Sequence, residues 1–430
     1  MKFLADLHIH SKFSRATSKE MELEIIARWA KIKGISLIAT GDFTHPEWSY
    51  LIKEKLEPLE NGFLKLKDPG KIDNPFLRQI SFSVDDVNFI ISGELSFIYS
   101  KNGQVRRIHI IVLVPDLLTA ELINKKIENY GKLSSDGRPM LGMDAKNFLS
   151  IILSISPRSI VIPAHIWTPW FSLFGANSGF DSIEECFEDI SDEIFVLETG
   201  LSSDPSMNWR LSSLDRFTLT SNSDAHSPSK IGREMNLFDT EFSYQGVREA
   251  IKLKNPKKFL YTIEFFPEEG KYHYDGHKNC KVCLSPKESI KKNLLCPVCS
   301  RKLTIGVMHR VEALADREEN YLPEGVIPYK NLIPLNEIIG EAMEKSSESP
   351  AVYEEYFRLI NIYGNEFNVL NNVPISSLEK STSERISQGI SNMREGKVSI
   401  FPGFDGVYGK ISLFERKEEQ KAEEAQLKLF

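Results

Sequence analysis

DLHIHSKFSRATS (residues 6–18) follows the apolar start MKFLA and sets Asp6, His8 and His10 at alternate positions. In an extended chain alternate side chains share one face, so the two imidazoles point the same way. Such a strand end is either a polar rim or one edge of a metal site. The ends of the other strands decide between the two.

Short apolar, β-branched runs recur at 35–40 (ISLIAT), 89–93, 108–114, 160–164, 194–198 and 217–221, separated by helical patterns at 18–33, 119–130, 144–154 and 244–254. Over residues 1–265 this is the βαβα rhythm of a parallel α/β domain. Nearly every run delivers a histidine or carboxylate at or near its end: Asp42 and His45 in ATGDFTH, Glu94 in SGEL, His109 in RRIHIIVLV, His165 in PAHIWTP, Asp224 and His226 in TSNSDAH. Active sites of α/β barrels are assembled on that face from several strands, so a barrel-like wrap is expected rather than an open sheet. Mixed His and carboxylate ligands suit Zn, Mn or Fe, and several on one rim suggest two or three ions. Clustered divalent ions lower the pKa of water and neutralise a phosphate under in-line attack, which points to phosphoester hydrolysis. Amidohydrolase chemistry uses similar barrels and ligands and is the competitor at this point.

The 430 residues are enough for two or three domains, and 41% apolar with 26% charged residues describes an ordinary folded protein. A net charge of -7 means that a nucleic-acid partner would have to be gripped by a local basic surface. No secretory leader and no apolar run near the ~18 residues of a membrane span is visible, so a cytoplasmic protein without membrane contact is expected.

Four of the five cysteines form CKVC (280–283) and CPVC (296–299), with Cys186 apart. Two C-x2-C pairs separated by twelve residues have the spacing of a tetrahedral zinc ribbon, so Cys280, Cys283, Cys296 and Cys299 are expected to hold one structural Zn over residues 266–305. Lys278, Lys281 and their neighbours make this segment basic, and Tyr272 offers a flat ring beside them; backbone phosphates and an unstacked base suit such a surface. Residues 306–415 read as amphipathic helices, an expected DNA-binding region, and 416–430 as a charged tail.

The D-L-H-I-H start, the G-D-F after the second strand, Glu94, the spaced histidines and D-A-H at 224–226 resemble the PHP superfamily of metal-dependent phosphoesterases. That resemblance implies a distorted (β/α)7 barrel over residues 1–265 with up to three metals. It carries the ligand role onto His8, His10, Asp42, Glu94, His109, His165, Asp224 and His226, with Glu94, Asp224 and His226 also catalytic. Two features depart from many relatives: Arg15 stands where an acidic residue is common, and GDFTH replaces T-D-H. Arg15 would suit a substrate phosphate, since a guanidinium fork matches it.

The order of segments narrows the reading. A PHP-like barrel, then EGKYHYDGH-x2-C-x2-C, then VIPYKNLIPLNEII and PGFDGVYGKI is similar to the endonuclease Q family, as is the form HSKFSRATS. The resemblance implies a DNA repair endonuclease of a prokaryotic, nucleoid-associated kind. It would cut 5′ to hypoxanthine, uracil, xanthine or an abasic site with two or three divalent ions (Zn, Mg or Mn), leaving a 3′-hydroxyl and a 5′-phosphate. Arg15, Trp167 and Trp170 in HIWTPW, and Glu198 in LETGLSSDP are candidates for the base pocket. The last five residues, QLKLF, resemble a shortened sliding-clamp-binding motif anchored by Gln426, Leu429 and Phe430. The alternatives are a PHP phosphatase for a small phosphomonoester and a non-catalytic DNA-binding protein.

Overall fold

The computed structural model describes residues 1–68, 70 and 83–414; the tail with Gln426, Leu429 and Phe430 lies outside the described residues. It is a mixed α/β fold around a central sheet. The sheet runs in the order Tyr329–Asn331, Phe259–Glu264, Met235–Asp239, Lys2–Asp6, Ile35–Ala39, Asn88–Lys101, Leu64–Leu66 and Leu56–Pro58. Strand Gln104–Val114 joins it by pairing with both Asn88–Lys101 and Ile160–Pro163.

The pairing departs from the expected all-parallel rhythm. Lys2–Asp6, Ile35–Ala39 and Asn88–Lys101 do run parallel in succession. The next step is a long antiparallel hairpin, in register from Ile91 opposite Val114 to Lys101 opposite Gln104. Its turn is Asn102–Gly103, with φ of 54° and 74°, the left-handed pair that matches the twist of a two-residue hairpin. The apolar alternation of residues 95–99 therefore belongs to one continuous strand rather than to a loop after a short one.

Strands Val196–Glu198 and Thr218–Thr220 form a separate parallel pair. Their ends are tied to the N-terminal segment by the bridge of Ile9 with Ala225 and by the bonds Asp224 N to His8 O (2.9 Å) and His10 N to Ala225 O (3.0 Å). Apolar residues on both sides of the central strands are fully buried, among them Leu37, Ile38, Phe89, Ile110 and Ile162. Helices Leu23–Lys33, Ala145–Ile155 and Tyr244–Lys252 cover the sheet, and Tyr244 also donates its hydroxyl to Leu113 O and Arg158 O.

Helices Leu335–Met343, Pro350–Tyr363, Ile375–Ser381 and Glu384–Arg394 make up most of the C-terminal region. This region is stitched to the sheet. Tyr329–Asn331 adds a parallel strand beside Phe259–Glu264, and the nearly buried Lys33 pairs with Glu366 at 2.5 Å. Among the described residues no helix is long and apolar enough to cross a membrane.

Candidate metal centre and cysteine module

The strand ends converge. His8 and His10 follow Lys2–Asp6, Asp42 follows Ile35–Ala39, His165 follows Ile160–Pro163, and Asp224 and His226 follow Thr218–Thr220. Glu94 and His109 instead lie inside the hairpin. There Glu94 faces Ile111 and Ser96 faces His109, so Glu94 and His109 are diagonal neighbours on one face. Asp42, His165 and Asp224 hold positive φ (47°, 29° and 46°). A left-handed non-glycine residue costs on the order of 1–3 kcal/mol, and three of them at one site mark where the fold stores strain.

Two compact groups result, sharing Glu94: His8, His10, Glu94 and Asp224, and Glu94, His109 and His165. One oxygen of Glu94 serves each. Oε2 lies 3.7 Å from His8 Nε2 and 3.3 Å from His10 Nε2, while Oε1 lies 2.8 Å from His109 Nδ1 and 2.9 Å from His165 Nε2. Asp224 Oδ1 stands 3.0 Å from His10 Nε2.

Behind the imidazoles sits a second layer of acceptors. His8 Nδ1 is 3.0 Å from Glu198 Oε1, and Glu198 also accepts from His165 N (2.9 Å) and from the Asn222 amide (2.8 Å). His10 Nδ1 is 3.1 Å from Asp42 Oδ1, whose other oxygen accepts from Ser11 N, Ser11 Oγ and Ser14 Oγ at 2.6–2.8 Å. An Nδ1 that donates to a carboxylate leaves the lone pair on Nε2. His8 Nε2, His10 Nε2 and Asp224 Oδ1 are buried and have no hydrogen-bond partner. Buried polar atoms without partners are costly, and three aimed at one point fit a cation.

The electrostatics agree. Burial works against ionising Glu94, yet His109, Arg138 and His8 hold its carboxyl well below the ordinary value. Burial likewise opposes charge on His8, but Glu198 and Glu94 raise it well above the usual imidazole range. Burial pushes His109 down to about 4 against the pull of Glu94. A field that favours positive charge at His8 is one that would hold a metal cation there.

Several expected site residues stand elsewhere. Asp42 is absent from both compact groups and acts as the acceptor behind His10, because four donors already converge on its carboxylate. His226 also lies outside them, with Nδ1 2.8 Å from Asp224 O and its side chain 31% exposed. Trp167 is buried, its indole donating to Asn208 Oδ1, and Glu198 is buried behind His8, so neither faces a base. Trp170 is exposed and its ring meets that of Tyr272 at 5.7 Å, edge to face. Arg15 is exposed, and its N–H donates to Asp136. Arg138, which no sequence pattern singles out, places Nη1 2.9 Å from Glu94 Oε2.

The cysteine module also differs from its expected ligand set. Cys280, Cys296 and Cys299 come together with His277, whose Nδ1 lies 3.4 Å from Cys299 Sγ. Cys283 turns away and its thiol donates to Pro402 O at 3.7 Å. The reason is strand alternation. In the hairpin of Asp275–His277 with Val282–Leu284, Cys283 is opposite Gly276 and His277 is opposite Val282, so Cys283 and His277 face opposite ways. The signal was in the sequence: His277-x2-Cys280 has the same spacing as the cysteine pairs. Lys278 and Lys281 are exposed beside this cluster.

Comparison with known proteins matches this geometry to a group. Residues 334–397 match the MJ0043 C-terminal domain family. A Methanocaldococcus jannaschii protein, the uncharacterized MJ0043, is 35% identical over 269 residues, 61% of this chain and 33% of its own length, so the chain spans about a third of that relative. The crystal structure of an endonuclease Q complex with a 27-mer duplex carrying an abasic lesion at its active site superposes with a TM-score of 0.81, 30% identity, and 97% and 100% of the two chains covered. The lesion-specific endonuclease PfuEndoQ of Pyrococcus furiosus superposes with a TM-score of 0.82 and 30% identity over 98% of this chain and 99% of its own, and on that full-length likeness the chain belongs to the endonuclease Q family.

Proposed function

We propose that this chain is a metal-dependent DNA repair endonuclease that hydrolyses the phosphodiester 5′ to deaminated bases (hypoxanthine, uracil, xanthine) and abasic sites, leaving a 3′-hydroxyl and a 5′-phosphate. The observation that carries the reading is Glu94 standing between two sets of ligand atoms, with His8 Nε2, His10 Nε2 and Asp224 Oδ1 buried and unpartnered. The first set would hold one divalent ion and the second another, in a distorted barrel spanning residues 1–265. Bound ions of this kind supply an activated water and neutralise phosphate charge.

The chain's own groups do the rest. Glu198 and Asp42 fix the tautomers of His8 and His10. His226 Nδ1 donates to Asp224 O, which leaves Nε2 as an acceptor on the open side of the site. Burial and the neighbouring His10 lower its pKa, so it is neutral at pH 7 and able to take a ligand or a proton there.

The module at 266–305 is a zinc site held by His277, Cys280, Cys296 and Cys299, and with residues 306–415 it grips the duplex, using Lys278, Lys281, Tyr272 and Arg15 on phosphates and an exposed base. The tail is a sliding-clamp motif through Gln426, Leu429 and Phe430, and the protein works in the cytoplasm at the nucleoid.

End-labelled duplexes with one hypoxanthine, uracil or abasic site test the reading in Mg, Mn or Zn. A nick one phosphodiester 5′ to the lesion, absent with Asp224→Asn and from undamaged duplex, is expected. Hydrolysis of a simple phosphomonoester with no strand cut would leave a phosphatase.

A further inference from the structure

We infer that Arg138 is the residue that grips the scissile phosphate, its guanidinium released from Glu94 onto a phosphate oxygen when substrate and ions are in place. This rests on the phosphoesterase reading above and adds a residue to it.

Three observations support it. The ligand groups are sealed at the back: the side chains of His8, His10 and Glu94 are at most 1% exposed. On the front, Asp224, Arg138 and His226 reach solvent at 25%, 25% and 31%. An anion entering the site therefore meets Arg138 among the first groups.

Second, the loop that carries Arg138 is fixed while its tip is not. Arg138 N donates to Asp136 Oδ1, Gly137 N to Phe13 O, and Ser96 N to Pro139 O, each at 3.0 Å. A Cβ on Gly137 would fall 2.2 Å from Asp42 Oδ2 and 2.3 Å from Ser14 Oγ, so only glycine lets this loop lie against the support behind His10. The guanidinium, by contrast, makes one hydrogen bond among the described residues, from Nη1 to Glu94 Oε2. Nε and Nη2 remain available, and an arginine fork meets a phosphate through two parallel N–H groups.

Third, Arg138 sits within the field of both ligand sets. Its Nη1 lies 2.9 Å from the Glu94 carboxylate, which belongs to both groups. Glu94 Oε2 is also the oxygen turned toward His8 and His10. With Glu94 Oε2 engaged by a cation, its hold on Arg138 would weaken, and a phosphate oxygen would offer the guanidinium a stronger acceptor. Charge building on the phosphate during attack would then strengthen this contact, the condition for raising kcat rather than only lowering KM.

The test uses the full chain with Mn bound. Arg138→Met and Arg138→Lys are compared with wild type for Mn stoichiometry, for inhibition by inorganic phosphate, and for kcat and KM on an abasic duplex. Expected for Arg138→Met is unchanged Mn stoichiometry, phosphate inhibition weakened at least about tenfold, and kcat lower by about 10²–10³-fold, with Arg138→Lys between it and wild type. Unchanged phosphate inhibition overturns the inference. So does loss of Mn together with phosphate, which would make Arg138 a mere partner of Glu94. If Arg138→Met does not fold, the same criteria are read on Arg138→Lys. Wild-type protein that cuts no duplex but hydrolyses a simple phosphomonoester, with phosphate inhibition that depends on Arg138, would leave the inference standing and remove the endonuclease reading.

Discussion

At the scale of single residues, the site depends on groups that never touch a reacting atom. Asp42 receives four donors, from Ser11 N, Ser11 Oγ, Ser14 Oγ and His10 Nδ1. An asparagine there would turn an amide N–H₂ against donors, so Asp42→Asn should lose its grip on His10 without changing any metal-facing atom. Outer-layer changes of this kind cost about 10–100-fold in metal affinity, and titration of the apo protein with Mn is expected to show that loss while the fold, followed by circular dichroism, is kept. The cysteine module allows a sharper contrast. Cys283→Ser should leave the zinc content per chain at its wild-type value, because Cys283 faces Pro402, whereas His277→Ala should lower zinc content and thermal stability. Zinc retained by His277→Ala and lost from Cys283→Ser would restore the four-cysteine set.

At the scale of elements, the hairpin Asn88–Lys101 with Gln104–Val114 carries Glu94 and His109 far from its own turn. No atom lies within 4 Å of a Cβ built on Gly103, so a side chain there meets open space and only the backbone is strained, at φ 74°. Gly103→Val is expected to cost about 1–2 kcal/mol in denaturant unfolding while leaving metal binding at Glu94 and His109 unchanged. The same hairpin shows what was legible. The runs at 89–93 and 108–114 were visible, and so was their load of Glu94 and His109. Their antiparallel pairing was signalled by K-N-G-Q at 101–104, which a reading tuned to βα repeats passes over. Strand ends could be read because period-two apolar runs are local. Arg138 and the Glu198 contact with His8 could not, since each joins a loop residue to a strand residue, 44 and 190 positions apart in the chain.

At the scale of the whole molecule, the fold buries two neighbouring carboxyls, Glu264 and Glu234, in surroundings that favour the protonated acid. Glu264, on the sheet's Phe259–Glu264 strand, is fully buried beneath the hydroxyls of Thr199, Ser221 and Thr262. Burial is the main cause that pushes its pKa from 4.5 up to about 8, with the charge of Asp204 adding to it. Glu234, buried next to it and pushed up by burial and by Glu264 itself, shifts the same way. The folded chain thus keeps a proton on Glu264 that the unfolded chain releases above about 4.5. Stability from this group is complete below that pH and declines as pH rises toward 8, because the native state binds more protons than the unfolded state across that window. Glu264→Gln keeps the shape and removes the titration, so its melting temperature should fall less between pH 5 and pH 8 than that of the wild type. Parallel pH dependence in the two proteins would mean that Glu264 is ionised in the native state, with its three hydroxyl neighbours carrying the charge.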